Sequence, residues 1–151
     1  MNMIKLPIEK DELIHLLPHK GKMFLIERIT ACDINEWNVT SETIVRDTCL
    51  FYDKSIDGIP NYVCFELMAQ TISALTGIII REKNLPVNMG FILSVSAIKF
   101  SLPVIKKGQT VTITAQRTGE VDNVYTFEAS LTVDGNPAGG GKLTVLEVKS
   151  L

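Results

Sequence analysis

Three polar side chains recur at helical spacing within an otherwise apolar segment, "GIPNYVCFELMAQTISALTGIII" (residues 58–80): Glu66, Gln70 and Ser73. At 100° per residue they fall within about 60° of one another on a helix surface. No Lys or Arg lies in this segment to pair with Glu66 before Arg81. A partly desolvated, unpaired carboxyl group is suited to general acid–base catalysis near neutral pH. The alternative is an exposed helix edge, although such edges normally carry several charges of both signs.

The chain has only two histidines that could complete such a site, His15 and His19. His15 lies in a predicted amphipathic helix over residues 9–17, where a surface or half-buried structural role is expected. His19 follows Pro18 in "LLPHKGKMFLIERI", where it could be a simple capping or loop residue. If the protein uses a histidine as base, His19 is the better candidate.

Other catalytic arrangements have less support in the sequence. A serine nucleophile would need a G-x-S-x-G turn, which is absent. Cys64 lies in the apolar segment, where a role in core packing is expected rather than one as a nucleophile. Two histidines without clustered carboxylates do not indicate a metal site, and no cofactor is expected. The three cysteines form no C-x-x-C pair, so a reducing, cytoplasmic setting without disulfides is predicted.

The elements that must position these residues follow from turn signals and hydrophobic periodicity. The 151 residues predict one domain, residues 1–151. Asn61 is the predicted N-cap of a long helix that continues to about Lys83 and is ended by Asn84 and Pro86. The short helix 9–17 precedes it and ends at Pro18. Strands are predicted over residues 23–32, 37–45, 90–100, 109–117, 124–133 and 142–148.

The connections between these strands are short, so the sheet is expected to be mostly antiparallel. A sheet that curls around one central helix would explain why that helix is apolar on nearly all sides. The predicted architecture is therefore α+β, of the hotdog type. The net charge of −2 argues against nucleic acid as a partner. The polar residues within 62–80 argue against a membrane span.

Three segments resemble the 3-hydroxyacyl-[acyl-carrier-protein] dehydratases of fatty-acid synthesis. "LLPHKGKMFLIERI" is similar to their opening Leu-Pro-His-Arg signature, and "IPNYVCFELMAQ" to their Met-Pro-Gly…Glu-x-Met-Ala-Gln helix segment. "GFILSVSAIKFSLPVIKKGQTVTITA" resembles the strand pair that follows that helix. The resemblance covers about residues 11–148. The version with "DGIP" resembles most the dehydratase-like proteins of aryl polyene pathways.

The resemblance implies roles for several positions. Glu66 corresponds to the family's catalytic acid, and Gln70 is expected to orient the leaving hydroxyl. The family's catalytic histidine lies fourteen residues before that glutamate, which here is Tyr52. Three alternatives follow: His19 acts as base, Tyr52 or Asp53 contributes, or catalysis has been lost. Tyr52 is also a candidate for substrate binding. The start of the long helix, near Asn61 and Tyr62, offers free amides to a thioester oxygen that becomes negatively charged.

Three functions therefore compete at the level of the sequence. The first is a dehydratase acting on a 3-hydroxyacyl thioester held on acyl-carrier protein. The second is an acyl-thioester hydrolase, and the third is a catalytically silent partner of an active dehydratase. In each case the resemblance implies a homodimer or a heterodimer with another hotdog subunit. Tyr62, Phe65 and Ile72 are expected on an exposed apolar face that this second subunit covers.

Overall fold

The computed structural model describes residues 4–149, except for the side chains of residues 88, 89, 91 and 149. Two helices are numbered in chain order, α1 (Lys10–Leu13) and α2 (Val63–Lys83), and a 3₁₀ helix spans Gly21–Met23. The strands are β1 (Ile8–Glu9), β2 (Arg28–Asp33), β3 (Asn38–Ile44), β4 (Gly58–Pro60), β5 (Asn88–Phe100), β6 (Val104–Lys106), β7 (Thr110–Val121), β8 (Val124–Val133) and β9 (Asn136–Lys149).

Seven of these strands form one sheet, in the order β1-β2-β3-β7-β8-β9-β5, and β4 pairs with β6 separately. Every pairing is antiparallel. Helix α2 packs against β2, β3 and β7, and Met68, Leu75 and Ile78 on it are fully buried. The sheet thus wraps around one long helix, which confirms the predicted α+β architecture.

By length and composition alone, helix α2 is long and apolar enough to cross a membrane, but 61% of its apolar 18-residue stretch is buried within the protein. It therefore serves as the core helix of this fold. Its predicted end is confirmed, since Asn84 adopts the left-handed conformation at the C-cap. Ile72, expected on an exposed face, is only 4% exposed, so that expectation is wrong; Tyr62 is 69% exposed.

The predicted cap at the start of α2 is wrong by one residue. Tyr62 occupies the N-cap position and makes no capping hydrogen bond through its side chain. Asn61 instead donates its side-chain amide to the carbonyl of Leu102 at 3.0 Å, and the Asn61 backbone amide donates to Pro103. These bonds anchor the start of α2 to the segment before β6. The first turn of α2 consequently lacks a side-chain cap.

The predicted N-terminal helix is much shorter than residues 9–17. Helix α1 ends at Leu13, and the next turns tighten to i→i+3 bonds, with His15 donating to Glu12 and Leu16 to Leu13. The carbonyl of Leu16 lies against α2 at Gly77, where an added Cβ would come within 2.2 Å of the Leu16 oxygen. Packing of this turn onto α2, together with Pro18, therefore ends the helix early.

The strand predicted over residues 23–32 begins only at Arg28. Residues 21–23 form the 3₁₀ helix, and Phe24 and Ile26 are buried. The main-chain groups of Met23 and Leu25 bond to the side chain of Gln70. The N–H of Leu25 is therefore not available to a strand ladder, because it already donates to Gln70.

The glycine triplet at 139–141 lies inside β9, which begins at residue 136 and not at 142 as predicted. Gly139 has φ of +148°, and an added Cβ would approach the Lys99 oxygen within 2.1 Å. The triplet therefore allows β5 to approach β9 closely at an irregularity in the ladder. Strands β1, β4 and β6 were not predicted, because two or three residues carry no readable periodicity.

The three cysteine thiols should differ in reactivity. Burial raises the pKa of Cys32 to about 11 and that of Cys64 to about 12, so both stay protonated at pH 8. Cys49 is half-buried and lines a surface cavity. We expect an aromatic disulfide reagent at pH 8 to modify one thiol per chain rapidly, with release of the chromophore as the readout. The Cys49→Ser variant should lack this phase; an unchanged fast phase would contradict the assignment.

Candidate active site

The structure brings together two of the residues singled out in the sequence. The Nε2 atom of His19 lies 3.3 Å from the Oε1 atom of Glu66, and their side chains are 23% and 30% exposed. Glu66 is in the first turn of α2, and His19 lies in the loop that precedes the 3₁₀ helix. Both residues belong to the same chain. An imidazole and a carboxyl group at this distance can pass a proton directly between them.

The two ring nitrogens of His19 are in different environments. Nδ1 is buried and, among the side chains of residues 4–149 that are described, it is the one buried polar atom without a hydrogen-bond partner. Nε2 faces Glu66. Proton exchange with a substrate or with Glu66 must therefore take place at Nε2.

Gln70 is fully buried and all of its polar side-chain atoms are engaged. Its Oε1 accepts from the backbone N–H of Leu25 at 2.9 Å. Its Nε2 donates to the carbonyl of Met23 at 2.7 Å and to Oε1 of Glu66 at 3.1 Å. This placement does not support the predicted contact of Gln70 with the leaving hydroxyl, because both the oxygen and the NH₂ group of its amide are bonded to other protein groups. The bonds to Met23 and Leu25 had no signal in the sequence.

Tyr52 and Asp53 are held within their own loop. The hydroxyl of Tyr52 donates to Asp57 at 2.5 Å, and this bond raises the pKa of Tyr52. Asp53 accepts from the backbone N–H and the hydroxyl of Ser55, at 2.9 and 2.6 Å, which lowers the pKa of Asp53. A phenol that holds its proton more firmly and a carboxylate that binds a proton more weakly are both poor bases at neutral pH.

The start of α2 provides backbone donors beside Glu66. The amides of Cys64 and Phe65 are satisfied by the carbonyls of Asn61 and Tyr62. Within residues 4–149, the amides of Tyr62 and Val63 have no backbone partner. An N–H group at the positive end of a helix is suited to stabilise an oxygen that gains negative charge.

A cavity of about 520 Å³ lies beside the start of α2 and is lined by neighbours of Glu66, although neither Glu66 nor His19 is among its lining residues. Its walls include Leu25, Ile59, Val63 and Leu67, all buried and apolar. Val63 and Leu67 flank Glu66 along α2, and Leu25 is the residue whose amide bonds to Gln70. The charged side chains of Lys22, Glu27 and Arg46 also line the cavity.

The thiol of Cys64 does not form part of a nucleophilic site. Cys64 is fully buried, and burial raises its pKa to about 12. The thiolate required of a cysteine nucleophile is therefore scarce near neutral pH. The expectation from sequence that Cys64 is a core residue is confirmed.

Comparisons with known proteins agree with the fold and with the resemblance. The 3-hydroxyacyl-[acyl-carrier-protein] dehydratase FabZ of Ehrlichia chaffeensis is 30% identical over 128 residues, covering 83% of this chain and 85% of that protein. FabZ of Rickettsia akari is 25% identical over 142 residues, covering 92% and 95% of the two chains.

Solved structures show the same hotdog architecture. The dehydratase heterocomplex ApeI:P from Xenorhabdus doucetiae has a TM-score of 0.83 at 21% identity, covering 97% of this chain and 94% of that one. A hypothetical thioesterase with coenzyme A from Streptococcus pneumoniae has a TM-score of 0.60 at 15% identity, covering 81% and 87%. The family model for ApeP-like proteins, described as ApeP dehydratase, matches residues 12–151. This chain therefore belongs to the ApeP-like dehydratase family.

Proposed function

We propose that this protein eliminates water from a 3-hydroxyacyl thioester carried on acyl-carrier protein, in fatty-acid or aryl-polyene-type chain synthesis. The observation that carries the proposal is the 3.3 Å contact between His19 and Glu66 within one chain. The family's usual histidine position holds Tyr52, whose hydroxyl is bound to Asp57. His19 supplies the imidazole that this position lacks, so the exchange at Tyr52 is compatible with activity.

The proposed mechanism uses each group once per turnover. Nε2 of His19 removes the proton from the carbon next to the thioester carbonyl. The electron pair moves onto the carbonyl oxygen, which the amides of Tyr62 and Val63 stabilise. Glu66 donates its proton to the 3-hydroxyl, which leaves as water, and the pair forms the carbon–carbon double bond.

The short contact between the two side chains also resets the site. After elimination His19 holds an extra proton and Glu66 has lost one, so a charged pair remains at 3.3 Å. Transfer of one proton from His19 to Glu66 restores both starting states without a third group. The pair can therefore complete the cycle without an external proton carrier.

The substrate fits the surroundings of this pair. We assign the acyl chain to the cavity of about 520 Å³, whose buried walls are apolar except at Thr43. The thioester then lies at the start of α2, and the carrier protein remains outside. The free thiols favour a reducing, cytoplasmic setting for this reaction.

A second hotdog subunit completes the assembly in this proposal. Strand β5 is the last strand of the seven-stranded sheet, with one edge unpaired among residues 4–149. Ile92 and Leu93 on it are 40% and 54% exposed, and such an edge invites pairing with another chain. The neighbouring structure is itself a heterocomplex, ApeI:P. We therefore propose a heterodimer with a related hotdog subunit. A homodimer in a sizing experiment would show that the second subunit is another copy of this chain. A monomer would contradict the proposed assembly.

The test of the proposal follows the thioester directly. The protein, alone and co-expressed with a related hotdog subunit, is incubated with 3-hydroxyacyl-[acyl-carrier-protein], and the carrier is weighed by mass spectrometry. We expect the carrier to lose the mass of one water while keeping its acyl group. Release of free carrier thiol would identify a thioester hydrolase, a function compatible with the thioesterase-like fold neighbour. An unchanged carrier in both arms would indicate a silent partner.

A further inference from the structure

We propose that Gln70 is a positioning residue that sets which oxygen of Glu66 carries the catalytic proton and keeps His19 within reach of it. The proposal deepens the function proposed above and rests on it for its kinetic consequences. Gln70 is fully buried and touches no solvent from which a substrate could approach. Its effect on catalysis must therefore pass through the groups it binds.

The orientation of the Gln70 amide is determined by its backbone partners. The N–H of Leu25 can only donate, and the carbonyl of Met23 can only accept. The atom bound to Leu25 is consequently the oxygen, and the atom bound to Met23 is the NH₂ group. The same NH₂ group lies 3.1 Å from Oε1 of Glu66. It must donate there, so Oε1 of Glu66 is an acceptor in every protonation state.

The two oxygens of Glu66 are thereby made unequal. Oε1 accepts from Gln70 and also lies 3.3 Å from Nε2 of His19. When Glu66 is neutral, the acid proton is favoured on Oε2, which is free of the donor from Gln70. The oxygen in the Oε2 position then protonates the leaving hydroxyl, and the oxygen in the Oε1 position receives the proton that returns from His19. A half-turn of the carboxyl group about its Cγ–Cδ bond exchanges the two oxygens, so the protonated one again lies away from Gln70 and the cycle closes. Gln70 thus separates the donating and the receiving oxygen of one carboxyl group.

The same amide also ties the histidine segment to the helix. Met23 donates its N–H to the carbonyl of Lys20 at 3.2 Å, and Phe24 donates to Gly21 at 3.1 Å. The 3₁₀ turn therefore links the Gln70-bound segment to Lys20, the residue after His19. One side chain on α2 fixes the orientation of Glu66 and the approach of His19 together. Displacement of either by about 1 Å can cost on the order of 100-fold in rate.

The first variant to test is Gln70→Met, which keeps a side chain of similar size and removes the amide donor and acceptor. We expect kcat for dehydration to fall about 100-fold, with KM changed by less than about threefold, because the substrate does not touch residue 70. In Gln70→Glu, the protonated side chain can again donate a hydrogen bond. The ratio of its kcat to the wild-type value should therefore rise as the pH is lowered.

The matched control is Thr71→Val, on the next residue of the helix. Thr71 is also fully buried, and its hydroxyl bonds to Ser41 at 2.7 Å. This variant loses two buried hydrogen bonds of the core, to Ser41 and to the carbonyl of Leu67, without touching Met23, Leu25 or Glu66. It should lower the melting temperature and leave kcat within about threefold of wild type. An equal loss of kcat in both variants would reduce Gln70 to a structural role and overturn the proposal.

A second readout is independent of catalysis. The Leu25 amide donates to Gln70, so its hydrogen exchange, followed by NMR, should accelerate in Gln70→Met and remain slow in Thr71→Val. Unchanged exchange at Leu25 would overturn the positioning proposal even if dehydration slows. If the wild-type assembly releases no water from the thioester, the proposed function fails, while accelerated exchange at Leu25 would still show the bond between Gln70 and the histidine segment.

Discussion

Replacing Glu66 by glutamine is expected to lower kcat for water elimination by about 100- to 10,000-fold, the usual contribution of a general acid or base. This corresponds to about 3 to 5 kcal/mol of transition-state stabilisation. The glutamine has nearly the same shape as Glu66 and can still accept from Gln70 through its oxygen. It cannot donate an acidic proton to the leaving hydroxyl, so the chemical step is what slows.

The Glu66→Gln prediction is measured by the mass change of the acyl-carrier protein at saturating substrate, in parallel with thermal unfolding. Glu82→Gln is the matched control, because it makes the same substitution at the other end of α2, where Glu82 pairs with Arg81 at 3.2 Å. We expect this control to keep its activity. Undiminished turnover in Glu66→Gln would remove Glu66 from the mechanism and with it the proposed reaction.

Replacing His19 by glutamine is expected to have the second large effect, again about 100- to 10,000-fold on kcat. An amide side chain cannot accept the proton from the carbon next to the carbonyl. It also cannot return that proton to Glu66 across the 3.3 Å contact. Because the two residues act as a pair, the double variant with Glu66→Gln should be scarcely slower than the slower single variant.

The chain supplies its own control for His19 in its other histidine. His15 is exposed on the turn after α1, and His15→Gln should be as active as wild type. Tyr52→Phe tests the remaining candidate base, since it removes the hydroxyl that bonds to Asp57. Full activity in His19→Gln combined with a large loss in Tyr52→Phe would transfer the role of base to Tyr52.

The architecture was predictable from the sequence because its main signals are long and periodic. The apolar run of α2 and the alternation in β7 and β8 each extend over ten residues or more. The end of α2 was equally clear, since Asn84 adopts the left-handed conformation that favours a helix stop. The start was not, because Asn61 has a competing partner, the carbonyl of Leu102, that lies 41 residues away in sequence.

The site was predictable in its components and not in its contacts. Helical spacing placed Glu66 and Gln70 on one stripe, and elimination left His19 as the candidate base. His19 and Glu66 are 47 residues apart in sequence. Their 3.3 Å contact could therefore not be predicted from spacing. The apolar residues around Met23 and Leu25 predict a strand that the structure does not contain there. The backbone of these residues is bound by a side chain from α2, and such tertiary bonds leave no periodic signal.

The location of His19 and Glu66 on one polypeptide has a genetic consequence. A site assembled from two chains can be rebuilt by mixing two defective copies, each of which contributes its intact half. Here both halves of the pair lie on the same polypeptide chain. A cell that carries one copy altered at His19 and another altered at Glu66 gains no intact pair by exchanging subunits. In the proposed heterodimer, the accompanying subunit would in turn be free to diverge at its own equivalent positions without disabling the pair in this one.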